Sequence, residues 1–210
     1  IPLITADEAP GLEMLCMLWG QGASAPLEKK LRWDRQMVND VNVSLFQPAR
    51  GGLAVLSFFG LHESLHSVLA QTHETLHRLI KKGPSDEELE KARAWIEAAQ
   101  AYRGETVQGR AHLYGESFLR YQSPHLFETF FDRLLNVTKE EVQQLALRFI
   151  GHKNATLIAH VPQGQGTEFE QLEQLWQEVW SPPLAVTLPP TTPPKKVQPL
   201  HASALQTGQN

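Results

Sequence analysis

One β-hairpin, followed by an unbroken series of helical patterns, limits what this chain can fold into. Val41, Val43 and Leu45 alternate with Asn42, Ser44 and Phe46, the period of a strand with one face buried. Pro48-Ala49-Arg50-Gly51-Gly52 is a turn, and Leu53 to Phe59 has hardly a polar residue. That run predicts a central strand covered on at least one face. The short connection makes the two strands a hairpin. From Gly60 to Ile150 the spacing is helical throughout.

The rest of the chain fills in around this plan. Ile1 to Thr5 reads as the end of a strand, and Asp7 and Pro10 mark a helix start running through Leu12, Leu15, Cys16, Leu18 and Trp19 to a stop at Gly20-Gln21-Gly22. No Gly-Lys-Ser/Thr follows these glycines, so nucleotide binding is discarded. Ser24 is placed to cap a second helix, Ala25 to about Arg35. After the hairpin, Leu61, Leu65, Val68, Leu69, Leu76 and Leu79 share one helix face. Ser85 and Glu88 form a capping box for a helix from Asp86 to about Arg103. Thr106 to Tyr121 is a helix holding Gly109 and Gly115, which predicts close packing at one of them. Ser123-Pro124 opens a helix with Phe127, Phe130, Phe131 and Leu134, and Thr138 and Glu141 make a second capping box. Thr156 to Val161 reads as a third internal strand and Glu168 to Trp180 as a last amphipathic helix. The expected architecture is α+β: a two-layer sandwich, its sheet mainly antiparallel, with helices on one face. It occupies residues 1–180. The proline-rich stretch 181–210 reads as an extended linker toward a further domain.

Bulk properties exclude several classes. With 41% hydrophobic residues, 20% charged and a net charge of −4, the 210-residue chain has material for one sizeable core and no electrostatic pull toward nucleic acid or anionic membranes. No run is long and apolar enough to cross a membrane, and no signal peptide is visible. The single cysteine, Cys16, rules out an intrachain disulfide and a CxxC zinc site, and its apolar setting reads as core rather than nucleophile. The chain opens with Ile-Pro-Leu-Ile instead of methionine, the expectation being a piece of something longer.

His-Glu-x-x-His occurs twice between Leu61 and Lys82, as His62-Glu63-Ser64-Leu65-His66 and His73-Glu74-Thr75-Leu76-His77. On a helix this motif puts two imidazoles one turn apart to share zinc, beside a glutamate that acts as general base. The four histidines fall within about 60° of one another on a helical projection, along the edge of the apolar stripe. A catalytic zinc needs a third ligand and an open position; Glu87, Glu88 and Glu90 are near, but their spacing selects none. The other reading is an amphipathic helix with a His- and Glu-rich boundary.

Several blocks in order carry a family resemblance. They are Asp7-Glu8-Ala9-Pro10-Gly11-Leu12-Glu13-Met14-Leu15, Trp19-Gly20-Gln21-Gly22-Ala23-Ser24 with Leu31-Arg32, and the hairpin with its Gly-Gly turn. They continue as Ser85-Asp86-Glu87-Glu88-Leu89-Glu90-Lys91-Ala92-Arg93, Asn136-Val137-Thr138-Lys139-Glu140-Glu141-Val142, and Asn154-Ala155-Thr156-Leu157 running to Val161-Pro162. Together they resemble the second α/β domain of the pitrilysin/insulinase-type zinc peptidases, which include the mitochondrial processing peptidases. The resemblance implies repeated α/β domains in two halves closing around a peptide-holding chamber. Zinc belongs to the first domain, on an inverted His-x-x-Glu-His with a distant glutamate. No such motif occurs in these 210 residues, so the resemblance implies no cofactor in this chain and zinc in a partner domain. The implied partners are a preceding metal-bearing domain and a following repeat of the same polypeptide, with peptide as substrate. Leu205-Gln206-Thr207-Gly208 loosely echoes the start of such a repeat. Bacterial members of the family occupy cytoplasm and periplasm alike. Second domains of the family carry an arginine and a tyrosine seven residues apart that reach bound peptide. The arginine matches Arg32; the tyrosine position is Asn39, which keeps hydrogen-bonding capacity and loses the aromatic surface.

Three functions follow as expectations. The first is a non-catalytic, chamber-forming domain that binds peptide through Arg32 and Asn39. The second is a self-contained zinc peptidase using His62, His66 and Glu63, or His73, His77 and Glu74. The third is a structural or assembly subunit. Zinc content separates the first from the second, and peptide binding the first from the third.

Overall fold

Helix α1 (Ala9–Gly20) is the centre of the molecule. Every residue in it except Glu13 is buried, as expected of a helix that is apolar all round. In the computed structural model, which describes residues 7–22, 25–47, 51–121, 123–124, 126–150, 155–160 and 169–180, five elements pack on it. These are β1 (Val38–Phe46), α2 (Leu65–Lys82), α3 (Asp86–Gly104), α5 (Leu126–Leu135) and α6 (Lys139–Phe149). Two glycines set how closely they approach. A Cβ at Gly11 would overlap Leu145 of α6, and one at Gly20 would overlap Val43 of β1. The strand expected at 1–5, the Ser24 cap and the linker at 181–210 lie outside the described residues.

The helix expected from Ala25 to Arg35 is present in underwound form, a π-helical segment at Glu28–Asp34. Gln36, at φ 50°, turns the chain into β1, and the Met37 N–H donates to the Leu31 carbonyl at 2.8 Å. Strand β1 pairs antiparallel with β2 (Leu53–Gly60), Phe46 opposite Leu53 and Val41 opposite Phe58. Val38, Val41 and Val43 enter the core, and the Gln21 side chain donates to the Val43 carbonyl at 2.7 Å.

The sheet bears on two expectations. Among the described residues strand β2 has one neighbour, β1. Its inner residues Ala54, Leu56 and Phe58 are half-buried against the core, while Leu53, Val55 and Phe59 face outward and exposed, with Phe46 of β1 beside them. The third strand, expected at Thr156 to Val161, does not form over residues 155–160. Ile158 there is 89% exposed, and an alternating pattern becomes a strand only when a ladder partner meets it. The chain remains α+β, mostly helical with a small antiparallel sheet.

Helix α2 begins one turn later than its apolar spacing implied. A 3₁₀ turn, His62–Ser64, precedes it, and Leu61 is exposed rather than part of the stripe. Val68, Leu69, Leu76, Leu79 and Ile80 are buried, as are Thr72 and Thr75. Gly83, at φ 71°, ends the helix, its N–H donating to the Leu79 carbonyl at 2.9 Å. The capping box of α3 has both halves: the Glu88 N–H donates to Ser85 Oγ at 3.1 Å and the Ser85 N–H to Glu88 Oε2 at 2.8 Å. At α6 only the first half forms, the Glu141 N–H donating to Thr138 Oγ1, because the Glu141 carboxylate pairs with Arg133 of α5. In α4 (Val107–Tyr121) Gly109 is the tightly packed glycine, since a Cβ there would strike the Arg103 carbonyl; Gly115 faces open space. Helix α7 (Phe169–Trp180) packs along α2.

Candidate functional site

The doubled His-Glu-x-x-His separates into two unlike parts. The first copy straddles the 3₁₀ turn and the start of α2, so His62 and His66 do not share one regular helix, and His66 is exposed. The second copy lies wholly on α2. Its imidazoles, His73 and His77, are 6.5 Å apart between centroids with their planes 30° apart. Trp180 of α7 meets His73 edge-on at 5.5 Å and stacks on Trp176 at 5.2 Å. His73 is therefore part of an aromatic seam that seats α7 on α2. Glu74, the residue a zinc peptidase would use as base, is tied to Lys30 at 3.1 Å. The Lys30 ammonium holds its carboxyl below the usual carboxylate range, which makes it a poorer proton acceptor.

The three candidate third ligands are engaged elsewhere. Glu87 pairs with Lys91 at 2.6 Å, Glu90 with Arg93 at 2.7 Å, and Glu88 with Arg78 at 3.0 Å besides capping α3. Burial works to raise the Glu88 carboxyl, and the Ser85 N–H and Arg78 outweigh it and bring it down. Among the described residues no group of three His, Cys, Asp or Glu side chains is placed to share a metal ion. Cys16 is buried, and burial with the nearby Glu13 charge drives its thiol pKa up, the opposite of what a nucleophile needs.

Arg32 and Asn39 sit on adjacent packed elements, the π-helical segment and β1. The Arg32 guanidinium donates to Glu28 Oε1 at 2.7 Å and lies 5.1 Å over the Trp33 ring. Glu28 is buried while the Arg32 side chain is 43% exposed, so the carboxylate anchors the base of a guanidinium that still faces solvent. Asn39 is exposed. One charged residue in α1, Glu13, drew no functional expectation from the sequence. Its signal was available: it is the one charge in an otherwise apolar helix.

Against known proteins, residues 2–94 match the family model described as the peptidase M16 inactive domain. Over those residues the chain is similar to the M16 inactive domain. The model is of the family that the ordered sequence blocks resemble, and it describes that family's inactive domain. Among solved structures, a candidate zinc protease from Bordetella pertussis Tohama I shares the fold at TM-score 0.66 and 21% identity, covering 77% of this chain and 89% of that one. The inactive peptidase domain of a candidate zinc protease from Bordetella parapertussis gives TM-score 0.60 and 21% identity, over 70% and 79%. The peptidase M16 inactive domain from Pseudomonas fluorescens gives 0.60 and 15%, over 68% of this chain and 34% of that one. Comparison with curated proteins gives no match. The family model ends inside α3, and the structural likeness extends the M16 fold beyond it.

Proposed function

We propose that this M16 domain forms one wall of a peptide-holding chamber and contacts extended peptide through Arg32 and Asn39, while zinc chemistry belongs to a preceding domain of the same polypeptide. The observation that carries the reading is the anchoring of Arg32. A buried glutamate fixes the inner edge of the guanidinium and Trp33 underlies it, so the outward N–H groups are oriented for a peptide carbonyl or carboxylate at low entropic cost. Asn39, exposed near the start of β1, supplies an amide. The engagement of Glu74, Glu87, Glu88 and Glu90, and the seating of His73 under Trp180, speak against a second metal centre on α2.

Two measurements test the proposal. Elemental analysis of the dialysed 210-residue chain is expected to find no stoichiometric zinc, in wild type and in His62→Ala, His66→Ala and His73→Ala alike. About one zinc per chain, lost in those variants, would establish the self-contained zinc peptidase instead. In the polypeptide carrying both halves, peptide affinity is expected to fall about tenfold in Arg32→Lys, which keeps the Glu28 ion pair and loses the planar fork. Affinity indifferent to Arg32→Lys and Asn39→Ala would point to a structural or assembly role.

A further inference from the structure

Between α1, α3, α4 and α5 lies a groove of about 310 Å³, the lower end of the size range of small-molecule sites. Its walls are aromatic and aliphatic: Trp95, Phe127, Phe130, Phe131, Met17 and Leu134. Among the described residues its charged groups do not balance. Arg103 is paired with Glu116 at 3.4 Å, and the Ser117 hydroxyl is spent between the Ser123 carbonyl and the Phe127 N–H. Glu13, at the α1 wall, has no hydrogen bond or ion pair among the described residues, and burial pushes its carboxyl above the usual range. Beside it in the lining, Gln47 Nε2 is buried without an acceptor among the described residues.

We propose that this groove binds a small organic monocation with a flat apolar body, its charge on Glu13 and its body among Trp95 and the three phenylalanines. Charge complementarity selects that occupant. A neutral apolar molecule would fill the space and strip water from Glu13, which is costly for a lone carboxylate. An anion would meet Glu13 and find Arg103 already taken. A cation neutralises the carboxylate and gains the faces of the surrounding rings. An acceptor on the same molecule would satisfy Gln47 Nε2. The site is separate from Arg32 and Asn39, and it stands or falls independently of the peptide-binding reading.

Calorimetric titration of the full 210-residue chain with benzamidine, and with benzamide as its neutral near-isostere, tests the proposal. Benzamidine is expected to bind at one site, with benzamide about tenfold weaker or worse. Glu13→Gln, which removes a buried charge and so preserves the fold, is expected to bring benzamidine down to the level of benzamide. Ala99→Phe, in the α3 wall, leaves the Glu13 carboxyl in place while filling the groove and is expected to abolish both. Equal affinity for the two compounds, benzamidine binding unchanged in Glu13→Gln, or no binding by the wild-type chain would each overturn the proposal.

Discussion

Trp19 is held in the core by a short relay: its indole N–H donates to Thr75 Oγ1 at 3.0 Å, and that hydroxyl donates to the Thr72 carbonyl at 2.8 Å. All three residues are buried. Thr75→Val keeps the shape and orphans the indole N–H, so urea unfolding is expected to show a loss of about 1–3 kcal/mol, with Thr75→Ser much closer to wild type. Glu13 makes the opposite case. Its folded pKa lies above its unfolded value, so the folded state holds the proton more tightly and stability falls as pH rises between the two values. Glu13→Gln is therefore expected to raise the unfolding midpoint at neutral pH, the gain disappearing below about pH 4.5, the carboxyl's ordinary value. At this scale the sequence exposed local chemistry well. Ser85 and Glu88 reach each other within one turn, so their box was legible; Glu141 had a competing partner in Arg133, eight residues back, and spacing cannot weigh the two.

Among elements, α7 depends on one seam. Trp180 is buried against His73 and stacked on Trp176. Trp180→Ala is expected to cost about 3 kcal/mol, read from thermal unfolding, and to free α7 for limited proteolysis while the hairpin stays protected. Helix positions were legible because their 3.6-residue period and caps are written locally. The sheet was less so: Leu53 to Phe59 is apolar on both faces whether or not a strand lies outside it, and the stretch expected as a strand from Thr156 to Val161 has no ladder partner over residues 155–160 among the described residues. The π-helical turn at Glu28–Asp34 left no mark in the periodicity; its buried Glu28, returned to Arg32, shows only in three dimensions. The site residues divide the same way. Arg32 was visible through resemblance, whereas the groove around Glu13 needs four helices to exist.

For the whole molecule, the outward face of the hairpin matters most in solution. Phe59 is 71% exposed and Phe46 and Leu53 each 62%, beside a β2 edge that no described strand covers. Such an edge promotes association. Val55→Lys, at an exposed outward position, is expected to change unfolding stability by no more than about 0.5 kcal/mol and to lower the concentration-dependent light scattering of the chain.

The central place of α1 also has a consequence in time. This apolar helix leaves the ribosome well before α6, which covers one side of it through Leu145 and Ala146. At ordinary elongation speeds the wait is roughly ten seconds. For that interval the nascent chain carries α1 without its α6 cover, and its yield in the cell depends on what shields residues 9–20 until translation reaches residue 149.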